Sequence, residues 1–140
     1  MPVITISRGS YSRGKKVAEA LAKELNYECV SREIINEASK EFNIPEVKLA
    51  RALHDAPSLL NLFQNARESY LNYFKAAFFE HMKRGNVVYH GLAGHFFLKG
   101  VSHVLKVRIN AKMSDRIKEE IKREDFVYDQ AVKNIEKDDK

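Results

Sequence analysis

The hydrophobic positions of this chain switch repeatedly between two periods, and the switches divide it into short strands and amphipathic helices. Val3-Ile4-Thr5-Ile6-Ser7 is short, β-branched and followed by glycine, which predicts a buried strand. From Lys15 to Leu25, apolar residues recur at steps of three and four (Val17, Ala18, Leu21, Ala22, Leu25), predicting a helix with one buried face. Tyr27 to Val30 reads as a second strand. Ser31 is placed to cap a helix running to about Phe42, with Ile34, Ile35 and Ala38 as its apolar stripe. Asn43-Ile44-Pro45 breaks that helix, and a shorter helical piece covers Glu46 to Leu53.

A long helix follows, with Asp55 or Ser58 as its cap. Leu59, Phe63, Ala66, Tyr70, Phe74, Ala77, Phe78 and Met82 hold its period, and Gly85 stands where a helix ends. Asn86 to Tyr89 predicts a third strand, Gly91 to Lys99 a turn and short helix, and His103 to Ile109 a fourth strand. Two charged helices, at about 114–123 and 127–137, complete the pattern. Strands alternating with helices predict an α/β fold of three layers, a mostly parallel sheet of about four strands with helices on both faces. Ligands bind such sheets beyond the carboxyl ends of the strands. The loops 8–15, 31–32, 90–95 and 110–116 are therefore expected to meet on one edge.

A length of 140 residues suits a single domain, 1–140, built around one core. No apolar run approaches the roughly 20 residues of a membrane span, and the N-terminus lacks the basic start of a secretory signal. The single cysteine, Cys29, excludes an internal disulfide and suits a cytoplasmic protein; at the end of a strand it reads as a small buried hydrophobe. With no CxxC pair and no HExxH, no metal ligand is assigned. The net charge of +5 raises a nucleic-acid reading, which the distribution of charge argues against. Lys112 to Lys140 alternates acids and bases as a solvated helix surface does. The uncompensated basic cluster, Arg8, Arg13, Lys15 and Lys16, has the size of a local anion site.

That cluster sits in Gly9-Ser10-Tyr11-Ser12-Arg13-Gly14-Lys15-Lys16, which fits GxxxxGK and lacks the final Ser or Thr. Its place between an apolar strand and an amphipathic helix favours a phosphate loop over a turn merely shaped by two glycines. In this reading Gly9 supplies a backbone conformation closed to other residues, and the loop amides and the helix N-terminus converge on an anion. Lys15 reaches the outer phosphates as a point charge, and Arg13 adds a fork of donors. Lys16 stands where a Mg²⁺-coordinating hydroxyl usually does, and the third strand ends in Tyr89-His90 with no carboxylate.

Val3-Ile4-Thr5-Ile6-Ser7-Arg8 leading into this loop, Ser31-Arg32-Glu33-Ile34-Ile35, and the glycine turn after Asn86-Val87-Val88 together resemble the cytidylate kinase-like family of P-loop kinases. The similarity runs along nearly the whole chain. It implies a P-loop NTPase-type fold with a helical arm and a lid, and transfer of the ATP γ-phosphoryl, with Mg²⁺, to a nucleoside monophosphate. On that resemblance Gly14 and Lys15 hold ATP phosphates, and Arg32 contacts the acceptor phosphate. Arg116 and Arg123 are lid arginines that offset charge on the transferred group. The sequence departs from the family at Tyr11 and Arg13, which crowd a loop usually richer in glycine. It also departs at Ser31, where an aspartate is usual, and at His90-Gly91-Leu92, where Gly-Arg is usual. Family members continue beyond Asp138-Asp139-Lys140 through the lid, so the domain is expected to be shortened at its C-terminus or to be a fragment.

The resulting expectations are ATP on residues 9–16, catalytic roles for Lys15, Arg116 and Arg123, an acceptor at Ser31, Arg32 and His90, and magnesium without its usual ligands. His90 and His95 flank the turn after the third strand, where they either touch a ligand or simply cap and pack. The aromatic run Tyr70, Tyr73, Phe74, Phe78 and Phe79 reads first as core, with base stacking as the rival. Apolar positions around most of that helix, Leu71 and Phe79 included, also suit a homodimer surface. A nucleotide kinase-like activity is the leading reading. The alternatives are a noncatalytic nucleotide-binding or regulatory domain and a phosphate-binding module of a larger assembly.

Overall fold

Alternation along the first strand sets the layers: Val3 belongs to one buried cluster, while Ile4 and Ile6 belong to another on the opposite face. The computed structural model describes residues 2–54, 64–124 and 128–139. Its strands are β1 (Val3–Arg8), β2 (Glu28–Val30), β3 (Val87–Tyr89) and β4 (Val104–Ile109). They form a sheet in the order β2-β3-β1-β4, every pair parallel. Ile4 lies beside Val88 on one side and Leu105 on the other.

The helices are α1 (Gly14–Leu25), α2 (Glu33–Phe42), α3 (Glu46–His54), α4 (Gln64–Lys83), α5 (Gly94–Phe97), α6 (Met113–Glu124) and α7 (Tyr128–Asp138). Helix α1 covers one face, where Ala18 and Ala22 pack on Ile4, Ile6 and Val88. On the other face Ile34 and Ala38 of α2, Leu49 of α3, and Phe74, Ala77 and Phe78 of α4 enclose Val3, Val30, Val87 and Tyr89. Phe78 stacks edge-on against Tyr89 and Phe97, with centroids 5.0 and 5.5 Å away. Burying one such ring contributes about 1.5–3 kcal/mol. The three-layer α/β arrangement expected from the alternating pattern is the one observed.

Helices α6 and α7 form a hairpin with its own small core of Ile117, Ala131 and Ile135. Tyr11, from the loop after β1, packs into that core. No helix among the described residues is long and apolar enough to cross a membrane.

Several local expectations change. Val17 and Leu25 are 46% and 41% exposed, because α1 presents the smaller Gly14, Ala18 and Ala22 to the sheet. Ser31 does not cap α2. Arg32 occupies the cap position, and the Ser31 backbone N–H donates to the Glu33 carboxylate at 2.6 Å, so the acid at the first turn supplies the cap in reverse. Phe74 and Phe78 are core, as periodicity indicates, while Tyr73 and Phe79 are more than a third exposed. Asp55, Ser58, Leu59 and Phe63 lie outside the described residues.

Candidate functional site

Because every strand runs the same way, the carboxyl ends Arg8, Val30, Tyr89 and Ile109 lie along one edge of the sheet. Direct bonds tie the loops that follow: His90 N–H donates to the Val30 carbonyl at 3.0 Å, and Gly9 N–H to that of Ile109 at 3.5 Å. Parallel pairing thus gathers residues 9–14, 31–33, 90–94 and the start of α6 that sequence order keeps apart.

The loop after β1 is built differently from the expectation. Neither Gly9 nor Gly14 adopts a left-handed backbone; Tyr11 and Arg13 do, at φ 57° and 61°. The notion that Gly9 supplies a conformation closed to other residues is therefore corrected. A Cβ on Gly9 would meet the Arg116 guanidinium at an ordinary 3.5 Å. Gly14 is required for close approach instead, since a Cβ there would fall 2.6 Å from Cβ and Cδ of Arg8. The Ser12 hydroxyl closes the turn by donating to the Gly9 carbonyl at 2.7 Å. Arg13 then precedes α1, whose first-turn amides have no partner within the helix.

The basic cluster that looked uncompensated in sequence is compensated in part: Arg13 meets an acid of the hairpin and Lys15 an acid of its own helix, while Arg8 and Lys16 form no ion pair among the described residues. Arg13 Nη2 lies 3.4 Å from Glu119 Oε2, and Arg123 donates to Glu119 Oε1 at 2.7 and 3.0 Å. The Arg123 bonds hold the Glu119 carboxyl below its usual range, helped by the charges of Arg13 and Lys16. Lys15 Nζ stands 3.7 Å from Glu19 along α1. Arg123 also lies over the Tyr11 ring, 5.9 Å from its centroid. Buried Arg116 donates to the Ser10 carbonyl at 2.8 Å and to both oxygens of Asp139. Ser10 itself donates through its hydroxyl to Asp138 at 2.9 Å. Of the cations expected here, Lys15, Lys16 and Arg123 line one cleft with Lys122, Glu19 and Glu119, about 450 Å³ in volume. Arg116 lies apart from it, beneath the loop.

The residues expected to take the acceptor follow the carboxyl ends of the paired strands β2 and β3. Arg32 is exposed and, among the described residues, forms no ion pair. His90 is 8% exposed with Nδ1 unpartnered. Burial, reinforced by the charge of Arg8, pushes its pKa down, so the ring stays neutral at pH 7. Burial pushes Glu33 up, but the backbone N–H groups of Glu33 and Ser31 outweigh it and leave the carboxyl below its usual range. Burial and the neighbouring Glu19 and Glu33 push the Cys29 thiol up, as suits a packed rather than reactive sulfur. His95 Nδ1 lies 3.3 Å from the Thr5 hydroxyl.

Sequence reasoning missed Glu119, Asp138, Asp139 and Lys122. The i, i+4 spacing of Glu119 and Arg123 was a legible signal for one pair. Nothing local marks the others. The donor set does not fit a protein-held Mg²⁺. Lys16 brings an ammonium with no lone pair, Glu119 is taken by two guanidiniums, and Glu19 by Lys15. Among the described residues no group of three or more His, Cys, Asp or Glu is arranged for a metal.

This architecture has solved counterparts. An uncharacterized protein from Eubacterium ventriosum superposes with a TM-score of 0.69 at 18% identity, covering 99% of this chain and 71% of that one. TT1252 from Thermus thermophilus gives 0.53 at 17% identity, with 97% and 79% covered. At such identities the likeness establishes the fold alone. No curated protein matches significantly. The family model described as the cytidylate kinase-like family matches residues 3–140, nearly the whole chain. The strand–loop–helix at residues 3–25, the parallel sheet and that match lead to one conclusion: the chain belongs to the cytidylate kinase-like family.

Proposed function

We propose that this protein is a nucleotide kinase-like domain that seats the phosphates of ATP on residues 9–16 and directs the γ-phosphoryl to a nucleoside monophosphate, cytidylate-like, at Ser31, Arg32 and His90. The observation that carries the reading is the cleft between α1 and α6, where Lys15, Lys16, Lys122 and Arg123 converge beside the phosphate-loop motif. Phosphoryl transfer asks for position and positive charge more than for covalent chemistry. An oxygen of the acceptor's phosphate dianion attacks the γ-phosphorus. The bond to the β–γ bridging oxygen breaks, and ADP leaves with that electron pair. The attacking oxygen carries no proton, so no general base is required. Lys15 and Arg123 offset charge on the transferred group, and Arg32 holds the acceptor phosphate. No step is routed through a metal.

A second reading, a noncatalytic nucleotide-binding domain, draws support from Arg116. As a lid arginine it would have to leave Asp139 and the Ser10 carbonyl before reaching a phosphate.

Calorimetric titration of ATP into the protein and into Lys15→Ala, paired with an ADP-release assay over a panel of nucleoside monophosphates, tests both. Saturable ATP binding that weakens about tenfold in Lys15→Ala, with ADP released only when an acceptor is present, is the expected result. Binding without turnover on any acceptor selects the second reading. No binding by either folded protein overturns the site.

A further inference from the structure

The α1–α6 cleft has a charge balance that identifies the form of ligand it takes. Glu19 stands four and three residues after Lys15 and Lys16 on α1, and Glu119 three and four residues before Lys122 and Arg123 on α6, so each acid is a helix-face neighbour of both its cations. The two faces enclose four cations and two carboxylates. Both carboxylates are engaged. Glu19 faces Lys15 at 3.7 Å, and Glu119 gives one oxygen to Arg123 and the other to Arg13. Lys16 and Lys122 are exposed and, among the described residues, form no ion pair.

A P-loop site normally binds a triphosphate together with Mg²⁺, which the residue after the motif lysine helps to hold through its hydroxyl. Here that residue is Lys16. Its ammonium donates hydrogen bonds and accepts none, so it competes with a metal ion for the same phosphate oxygens and repels it at close range. Lys122 faces the cleft from the other helix.

We propose that this cleft binds the polyphosphate of a nucleoside triphosphate in its metal-free form. Lys16 and Lys122 supply the positive charge that a protein-held Mg²⁺ supplies in sites with a hydroxyl at this position. Magnesium then competes with the protein for the nucleotide. The proposal rests on the reading of residues 9–16 as a phosphate site and specifies the charge state of its ligand.

Calorimetry at fixed ionic strength tests it, because salt alone weakens any exposed charge–charge contact. ATP is titrated into the protein in EDTA and again in excess MgCl₂, and the pair is repeated with Lys16→Thr and Lys122→Ala. Lys16 and Lys122 are exposed, and thermal melts verify that each variant folds. The expected result is about tenfold tighter binding in EDTA for the native chain, loss of that preference in Lys16→Thr, and weaker EDTA binding in Lys122→Ala. Equal or tighter binding with magnesium overturns the proposal and leaves the nucleotide reading standing. A preference unchanged in Lys16→Thr overturns the role of Lys16. Inorganic tripolyphosphate in EDTA separates the two ideas. If it binds while ATP does not, the nucleotide reading falls and the metal-free polyphosphate site survives; if neither binds, both fall.

Discussion

Arg116 and Asp139 form a two-point ion pair, Nη1 to Oδ2 at 2.8 Å and Nη2 to Oδ1 at 2.7 Å. The third donor of the same guanidinium, Nε, reaches the Ser10 carbonyl at 2.8 Å. One side chain of α6 thus joins the end of α7 to the loop after β1. With Tyr11 in the hairpin core and Arg13 on Glu119, these contacts fasten the hairpin to the loop proposed to take phosphates. Any anion that draws Ser10 or Arg13 away must loosen the hairpin, and the converse holds by linkage.

Removing this clamp has a pH signature. The Arg116 hydrogen bonds hold the Asp139 carboxyl below its ordinary range. A depressed folded-state pKa contributes stability that is fully present above the unfolded value of about 3.9 and is lost as pH falls through the folded value. Urea denaturation at pH 7 should find Asp139→Asn destabilised by about 1 kcal/mol, since Asp139 is partly exposed. The gap between the native chain and the variant should close below about pH 4. A gap that does not shrink at all as pH falls below the unfolded value would show that the carboxylate charge is not its source.

The two motif glycines should respond oppositely to alanine. Gly14→Ala drives a Cβ to 2.6 Å from Cβ and Cδ of Arg8, and should cost about 1–3 kcal/mol in chemical denaturation. Gly9→Ala places its methyl in ordinary contact with the Arg116 guanidinium and should stay within about 0.5 kcal/mol of the native chain. Equal effects at the two positions would contradict the geometry of the loop.

His90 should make the protein acid-sensitive in a higher pH window than the carboxylates do. Burial lowers its pKa in the fold, so the unfolded chain takes up a proton first. Stability is complete above the unfolded value of about 6.5 and falls as pH drops from there towards the folded value. In His90→Gln, which cannot ionise, the slope of stability against pH just below about 6.5 should flatten. An unchanged slope would assign the acid sensitivity of that window elsewhere.

Phe78 is the test of the opposite core. It is fully buried and meets Phe74, Phe79, Tyr89 and Phe97. Phe78→Ala should cost about 3–5 kcal/mol by denaturant titration. A loss under about 1 kcal/mol would mean that α4 does not pack on the sheet as described.

Much of the architecture was legible along the chain because its causes are local. The short β-branched run Val3–Ile6 followed by glycine indicates a strand buried on both faces, and three- and four-residue spacing in 15–25 and 70–82 indicates helices. The phosphate-loop motif is likewise contiguous, so residues 9–16 declared themselves as one unit. Local pattern misjudged what neighbours in space decide. Val17 fits the period of α1 yet lies at the rim of its contact with the sheet. Lys112 to Lys140 looks like a solvated charged surface, but folding buries Arg116, Glu119 and Glu120 within it. His81, which no local motif marks, lies 2% exposed between Glu28 and Glu37, 3.2 Å from each.

The sequence therefore determined the strands, the helices and the phosphate-loop motif, because backbone periodicity and turn chemistry act over a few residues. Only the tertiary structure decided which charges are spoken for. Arg13 meets Glu119, and Arg116 meets Asp139, across separations in sequence that no local pattern records. Parallel strands bring those partners to one edge, and in each pair one member, Glu119 or Arg116, is nearly buried. Lys16 and Lys122, one from α1 and one from α6, line the cleft with no ion pair among the described residues.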